Sequence, residues 1–212
     1  MTGTRPPVPE AVPVTAVPGP PLPVLAAPFS ARTARHDGPA LDLVCAWMRR
    51  PHVEEFWHQA WPRQRWSDEL STQLAGDHSL PVLVDHDGSP LAYVEVYRVC
   101  RDRLAEHYPH DAHDLGLHIA IGDRDRTGKG LGRALLRALA DGLLAADPRC
   151  RRVVAEPDVR NAASVRAFHA AGYRPAGEVV LGDKTAALVV RPRTEDDTLT
   201  GATAPARPGR TV

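Results

Sequence analysis

The sequence lacks several features that would place it in a protein class at once. Its 212 residues include three cysteines, Cys45, Cys100 and Cys150, and their wide spacing fits neither a CxxC metal motif nor an even set of disulfides. Its apolar runs are too short to span a bilayer. The 26 basic and 26 acidic residues cancel, so no net charge draws the chain to nucleic acid or membrane. We therefore expect a soluble, cytoplasmic protein with reduced thiols and no nucleic-acid or membrane partner.

Proline, by contrast, is abundant and concentrated at one end. Residues 1–28 are rich in Pro, Val and Ala and carry almost no charge. The prolines interrupt the apolar stretch, which is unlike a signal peptide, and they oppose both helix and sheet. This composition predicts a disordered, polyproline-like tail over residues 1–28. Residues 194–212 are rich in Thr, Ala, Pro, Gly and Asp, which predicts a second disordered tail and leaves one folded domain over 29–193.

Hydrophobic periodicity within residues 29–193 alternates between strand and helix patterns. The predicted strands are 29–35, 80–84, 91–99, 115–121, 151–155, 178–181 and 185–190. The predicted helices are 41–50, ended by Pro51, then 66–75, 130–146 and 162–171. The order β, α, α, β, β, β, α, β, α, β, β predicts an α/β fold in which a mixed central sheet is flanked by about four helices.

The most informative stretch is Leu115–Leu136, which reads as a strand, a glycine-rich turn and a helix. Gly128, Gly130 and Gly132 allow the backbone to approach a ligand closely. A turn of this kind points several N–H groups and the positive end of a helix dipole at one place, which suits a phosphate or pyrophosphate. The glycine order matches neither a Walker loop nor the dinucleotide-binding fingerprint.

A histidine and two acidic residues stand near this turn. His118 lies in the preceding strand, on the same face as Ala120 and Gly122. Such a histidine is either a core residue or a general base, and the nearby phosphate loop favours the base, because histidine titrates near pH 7. Glu156 and Asp158 follow a neighbouring strand, where open α/β sheets place ligand contacts. Either of them could orient a substrate or polarise His118, or could simply precede the helix capped by Asn161.

The glycine turn and the segment from Asn161 to Tyr173 resemble those of the GNAT acyltransferases. With the order of the predicted elements, the resemblance extends over roughly residues 29–193, nearly all of the folded chain. In that family the turn follows a Q/R-x-x-G-x-G/A pattern and binds the pyrophosphate of an acyl-CoA. Thr127 occupies the first position here, and Arg126, one residue away, is placed to compensate. Many members have a tyrosine where Phe168 stands, which protonates the leaving thiolate. Phe168 cannot do this, so another group or solvent must.

His107, His110 and His113 match no firm metal spacing, so we expect no metal site. The resemblance implies a set of cofactor contacts for acetyl-CoA or another acyl-CoA. They are Ile119, Ala120 and Ile121 in the strand, Arg126, Thr127, Gly128, Lys129, Gly130, Leu131, Gly132 and Arg133 in the turn, and Asn161, Ser164 and Phe168 beyond it. Three further runs, Tyr93–Tyr97, Asp114–Asp123 and Glu156–Asn161, are similar to the acyltransferases of hydroxamate siderophore biosynthesis, which acylate the side-chain amine or hydroxylamine of lysine-type substrates. There, residues at the positions of His118 and Glu156 face the reacting amine.

The acceptor pocket is the least defined part of the sequence. Trp57, Trp61 and Trp66 lie where GNAT proteins build this pocket, so each is either a pocket wall or core. Tyr97 and Glu95 alternate along one strand and either flank the acceptor or are core or surface residues. We expect direct transfer in a ternary complex, with a backbone N–H of the strand 117–121 supporting the oxyanion. Two other functions stay open: an aminoglycoside 6′-N-acetyltransferase, and a non-catalytic acyl-CoA-binding module. The sequence is compatible with a monomer or a homodimer.

Overall fold

The computed structural model describes residues 13–182 and 184–199. They form a seven-stranded mixed sheet with strand order β1-β2-β3-β4-β5-β7-β6. Neighbouring strands are antiparallel except β4 and β5, which run parallel. The strands are β1 (Phe29–Thr33), β2 (Ser79–His86), β3 (Ser89–Arg98), β4 (Leu115–Ile121), β5 (Arg152–Ala155), β6 (Arg174–Leu181) and β7 (Lys184–Pro192).

Helices cover both faces of this sheet. They are α1 (Gly38–Met48), α2 (Pro51–Trp57), α3 (Arg63–Ala75), α4 (Leu131–Ala146) and α5 (Ala162–Ala170). One apolar core joins α4 and α5 to side chains such as Leu117 on one face of the strands. A second joins α1 and α3 to Tyr93 and Ala120 on the other face. Within the described part of the chain, no helix is both long and apolar enough to cross a membrane.

The α/β architecture and mixed sheet predicted from the sequence are confirmed, with five α-helices in the described residues instead of about four helices. The additional helix, α2, begins at Pro51, the residue expected only to end α1. Proline has no N–H to donate and a fixed φ, so it is well tolerated at the first position of a helix. Pro51 therefore both follows one helix and starts the next.

The predicted disordered tail over residues 1–28 is corrected for residues 13–28, which lie against the domain. Val17 is buried, and Arg101 donates a hydrogen bond to its carbonyl oxygen at 2.5 Å. Arg98 donates to the carbonyl oxygens of Pro18 and Gly19 at 2.9 and 3.3 Å. A proline-rich segment has few N–H donors but keeps its carbonyl acceptors, and arginines of the domain satisfy them. Residues 1–12 lie outside the described residues.

The second predicted tail, over residues 194–212, is likewise corrected at its start. Glu195–Asp197 form a short 3-10 helix with a capping box at Thr194. Asp197 accepts a hydrogen bond from Arg151 at 2.6 Å, and Glu195 pairs with Arg174. These ion pairs hold residues 194–199 against the sheet, while residues 200–212 lie outside the described residues.

Candidate active site

The glycine-rich turn has the backbone geometry of an anion cradle. Gly128 and Gly130 adopt φ values of +76° and +82°, a region that residues with a Cβ rarely enter. Gly130 precedes α4, whose first turn has no acidic residue and no side-chain cap. The first N–H groups of this 16-residue helix are therefore left without intrahelical or capping partners. Together with the positive end of the helix dipole, they suit a phosphate group.

The polar side chains of the turn divide into two groups. Arg126 donates to the carbonyl oxygen of Pro90 at 3.2 Å and contacts His86, while Thr127 donates to the carbonyl oxygen of Arg124 at 2.7 Å. These two side chains brace the turn. Lys129 and Arg133 are exposed, and their charge is available to a bound anion.

Strands β4 and β5 diverge just before the turn. They pair only at Leu115 with Val153 and at Gly116 with Val154. Successive N–H groups of a strand point to opposite edges, and Gly122 donates its N–H to the carbonyl oxygen of Leu91 near the start of β3. The N–H of Ile119 therefore faces the gap between β4 and β5. The gap thus offers a strand edge to which an extended ligand can hydrogen-bond.

A cleft of about 360 Å³ occupies this gap. Leu117, His118 and Ile119 of β4 form one side, and Glu156 and Asp158 beyond β5 form the other. Asn161, Ser164 and Phe168 of α5 line it as well. Asn161 accepts a hydrogen bond from the N–H of Ser164 at 3.0 Å and so caps α5, as predicted. Phe168 is buried and packs edge-on against Tyr173, which makes it an apolar wall of the cleft.

His118 lies between two carboxylates in this cleft. Its Nε2 is 2.5 Å from an oxygen of Glu156, and its Nδ1 is 3.2 Å from an oxygen of Glu95. Glu95 is the residue paired with His118 in the β3–β4 register. Both ring nitrogens can donate to a carboxylate only when the imidazole is protonated. The arrangement therefore favours an imidazolium.

The electrostatics agree with this assignment. Burial by itself lowers the pKa of His118, but the charges and hydrogen bonds of Glu156 and Glu95 outweigh it and raise that pKa to about 10. Burial raises the pKa of Glu156, but His118 outweighs it and brings that pKa down to about 2. In the free protein the group is thus one imidazolium between two carboxylates at neutral pH, with a net charge of −1. His118 does not rest as a neutral base near pH 7, contrary to the expectation from the sequence.

A second layer of hydrogen bonds fixes both carboxylates. Tyr97 donates its hydroxyl to Glu156 at 2.7 Å, and Tyr93 donates to Glu95 at 3.0 Å. Gln73 of α3 also donates to Glu95, at 3.2 Å. Burial and the neighbouring carboxylates raise the pKa values of both tyrosines well above normal. The tyrosines therefore stay protonated as donors, and Tyr97 acts on Glu156 from beside the cleft.

The remaining predicted site residues are more scattered. Asp158 faces the cleft, but its carboxylate is held by the side chain and backbone of Arg160 at 2.7–3.2 Å and not by His118. Trp66 is fully buried, and Trp61 stacks on it, so the two build the core beneath the pocket. Ala120 faces the α1–α3 core, and its backbone, like that of Gly122, points towards β3. The predicted cofactor contact at Ala120 is therefore corrected, because this residue does not line the cleft.

Trp57 is the one of the three candidate tryptophans that forms a wall of the cleft. The centroid of its ring lies 6.2 Å from that of the His118 ring. Arg103 and Lys184 also line the cleft, with the Lys184 amine 4.0 Å from Glu156. Glu95 was a candidate flank of the acceptor from the sequence, whereas Arg103, which begins a 3-10 helix, and Lys184, which begins β7, were not predicted as site residues.

A charged triad and a free strand edge share one cleft, and β4, which carries His118 and this edge, leads into an anion cradle. This arrangement defines a protein that can hold a phosphorylated carrier beside a titratable site. A model of the GNAT acetyltransferase domain matches residues 38–181, and the chain belongs to that family. It is 41% identical over 184 residues to the lysine N-acyltransferase MbtK of Mycobacterium sp. (strain MCS), covering 87% of this chain and 75% of that protein. It is 32% identical to the N(6)-hydroxylysine O-acetyltransferase of Escherichia coli, over 69% of this chain and 47% of that protein.

Solved structures support the same fold. An uncharacterised Bacillus halodurans protein aligns with a TM-score of 0.74 and 32% identity, over 82% of this chain and 90% of that one. The aminoglycoside acetyltransferase AAC(6′)-Ib in complex with coenzyme A aligns with a TM-score of 0.70 and 24% identity, over 78% of this chain and 95% of that one. The family and its named relatives make this chain an N-acyltransferase, which removes the non-catalytic binding module from consideration.

Proposed function

We propose that this enzyme transfers an acyl group from acyl-CoA to the side-chain amine or hydroxylamine of a lysine-type acceptor in siderophore biosynthesis. The observation that carries the proposal is the Glu95–His118–Glu156 group, which opens on the same cleft as the free edge of β4 and lies on the strand that leads into the anion cradle. Relatives named for lysine, hydroxylysine and hydroxyputrescine acylation support the choice of acceptor.

The described residues fit an acyl-CoA. The α4 N-terminus and the turn from Arg126 to Arg133 would hold its pyrophosphate, and Ile119 would hydrogen-bond its extended arm. Asn161, Ser164 and Phe168 would line the opposite side. When bound there, acyl-CoA supplies an activated thioester carbonyl, and a free N–H on the β4 edge is placed to stabilise the oxyanion.

Glu156 and His118 would bind the acceptor nitrogen and manage its protons. A net charge of −1 attracts an acceptor ammonium. An ammonium beside Glu156 competes with His118 for that carboxylate, which removes the main attraction that raises the pKa of His118. Binding of the acceptor therefore makes His118 a stronger acid and, once it has lost a proton, a base placed to receive one from the acceptor.

Two cationic side chains of the cleft favour an amino acid over an aminoglycoside. Arg103 and Lys184 line the cleft, so an acceptor that carries a carboxylate meets opposite charge. A polycationic aminoglycoside would bring further ammonium groups against these side chains, which opposes binding.

The test is release of free CoA by the purified protein from acetyl-CoA and a longer acyl-CoA. Lysine, N6-hydroxylysine, putrescine and kanamycin serve as acceptors. We expect turnover with a lysine-type acceptor and a loss of about 10²–10⁴-fold in Glu156→Gln, a substitution of matched size whose folding is checked by circular dichroism. Turnover with kanamycin alone would overturn the proposal.

A further inference from the structure

A second chamber lies behind His118, on the side away from Glu156. It measures about 300 Å³, and its lining shares Glu95 and His118 with the reaction cleft. Its outer rim is formed by Thr72, Gly76 and His78, which are exposed. The His118–Glu95 pair is therefore a wall between the cleft and a recess that opens on the protein surface.

From this geometry we infer that Glu95 passes protons from His118 to water in the second chamber while the reaction cleft is filled by substrates. The inference rests on the proposed function for its reaction but concerns a different side of the site. Glu95 touches no reacting atom, so it is a positioning residue that acts through His118.

The three groups form a continuous hydrogen-bonded line. Glu156 contacts Nε2 of His118 at 2.5 Å, and Nδ1 of the same ring contacts Glu95 at 3.2 Å. An imidazole can release a proton from Nδ1 while it takes one up at Nε2. When the acceptor ammonium replaces Nε2–H at Glu156, the ring first loses its Nε2 proton to solvent and is left neutral with its proton on Nδ1. Nε2 then takes up a proton from the acceptor while Nδ1 gives its own to Glu95, which faces the chamber and passes it to water. The ring ends neutral with its proton on Nε2 and regains one from solvent at Nδ1 after the products leave, so one proton per turnover reaches solvent.

Proton balance shows when such an exit is needed. An ammonium acceptor must lose two protons to become an amide, and the departing CoA thiolate takes up one, so one proton per turnover must reach solvent. A hydroxylamine is already neutral at pH 7, loses one proton on acylation and needs no net exit. Acceptor and acyl-CoA together displace water from the cleft, which leaves the second chamber as the open side.

The surroundings of Glu95 suit a group that takes up a proton briefly. Burial raises its pKa, but hydrogen bonds from His118, Gln73 and Tyr93 outweigh this and lower it. The other titratable groups facing it are Tyr93 and Tyr97 of β3, Glu69 of α3, and Asp77, His78 and Asp102 at the chamber wall. His78 and Asp102 lie 3.6 Å apart and offer water in the chamber a route to the surface.

The first test compares two acceptors in one variant. Glu95→Gln keeps the size of the side chain but cannot accept a proton. We expect kcat with lysine at pH 7 to fall at least tenfold more than kcat with N6-hydroxylysine, and small buffer acids and bases to restore part of the loss. Equal losses with both acceptors would show a structural role for Glu95 and overturn the relay. Absence of turnover in the wild-type protein would instead count against the proposed function.

The second test needs no turnover. Thr72→Met on α3 fills the chamber, and Ser71→Met on the same helix adds the same side chain where it does not line the chamber. With CoA bound, solvent exchange of the His118 ring protons, followed by nitrogen-15 NMR, should slow several-fold in Thr72→Met and not in Ser71→Met. Unchanged exchange would overturn the relay. Weaker binding of lysine to the CoA complex of Thr72→Met than to that of Ser71→Met, measured by calorimetry, would overturn it too, because the chamber would then bind the acceptor.

Discussion

At the scale of single residues, the site depends on a histidine whose neighbours alter its chemistry. A lone histidine on a strand titrates near pH 6.5, and the sequence suggested a base on that ground. The structure pairs His118 with Glu95 across the β3–β4 register and with Glu156 beyond β5. The residue was predictable from its position before the glycine turn, but its charge depends on two contacts made by residues 23 and 38 positions away.

The charge of His118 can be measured directly. We expect nitrogen-15 shifts of its ring to show an imidazolium from pH 6 to about pH 9, because its pKa is raised to about 10. In Glu156→Gln the largest stabilising partner is gone, so the pKa should move down towards its ordinary value. A wild-type His118 that titrates between pH 6 and 7 would contradict the assignment.

The same pair predicts how stability depends on pH. The pKa of His118 is raised from 6.5 to about 10 on folding. The contribution of this group to the free energy of unfolding is therefore fully present below pH 6.5 and is lost as the pH rises through 10. The pKa of Glu156 is lowered from 4.5 to about 2, so its contribution is present above pH 4.5 and is lost as the pH falls through 2. The difference in Tm between wild type and Glu156→Gln should be largest between pH 4.5 and 6.5. A difference that does not vary with pH would contradict the pairing.

At the scale of elements, local pattern predicted the strand and loop that carry the site. Strand β4 has the predicted bounds, because alternating apolar residues end at a glycine turn. Helix α2 was missed, because Pro51 is compatible with both an end and a start. Trp57, at the end of α2, consequently lines the cleft while Trp61 and Trp66 do not. Which of three nearby tryptophans faces a pocket depends on helix direction, and local sequence does not fix that direction.

Strand β4 also makes a close approach that can be tested. Gly116 lies opposite Tyr97, and a Cβ at this position would lie 2.0 Å from the Cζ atom of the tyrosine ring. Gly116→Ala should displace Tyr97 from Glu156, lower Tm and reduce kcat more than Tyr97→Phe, which removes only the hydroxyl. Denaturation and kinetic measurements on both variants check this. A Gly116→Ala protein as stable as wild type would show that the two strands are further apart.

The glycine turn is the second element whose backbone is open to test. A Cβ on Gly128 or Gly130 meets no atom within 4 Å, so Ala at either position adds only the cost of positive φ, about 1–2 kcal/mol. Relief of that strain would move the N–H groups of the cradle. Gly130→Ala should therefore raise KM for acyl-CoA more than it lowers kcat, whereas Lys129→Ala, which removes charge alone, should have a smaller effect that salt reduces. Equal effects would show that charge, not backbone shape, dominates.

At the scale of the whole molecule, residues 13–28 join parts of the domain that lie far apart in sequence. They give carbonyl oxygens to Arg98 and Arg101, while Leu25 packs on the core beneath α4. Arg98 is buried and also pairs with Asp147, which follows α4. Disorder was predicted here from composition alone. Composition shows that the segment has few N–H donors of its own, but not that arginines elsewhere in the fold donate hydrogen bonds to its carbonyl oxygens.

The docking of this segment on α4 predicts an unusual response to a substitution that favours helix. Gly142 lies inside α4, where Ala would normally stabilise the helix by about 1 kcal/mol. Its Cβ, however, would lie 2.5 Å from the carbonyl oxygen of Val24, and Gly142 itself accepts a hydrogen bond from the N–H of Val24 at 3.2 Å. We expect Gly142→Ala to lower the free energy of unfolding of the full chain, measured by urea denaturation.

The sign should reverse when the segment is removed. In a chain that lacks residues 1–26, Gly142→Ala should raise the free energy of unfolding. The expected gain is about the loss caused by Ala145→Gly, a substitution at an exposed position of the same helix that serves as the control. The coupling between truncation and substitution measures the contact directly, because each change alone also alters other interactions. If Gly142→Ala stabilised both chains equally, residues 13–28 would not rest on α4, and the ordering of this segment would have to come from Arg98 and Arg101 alone.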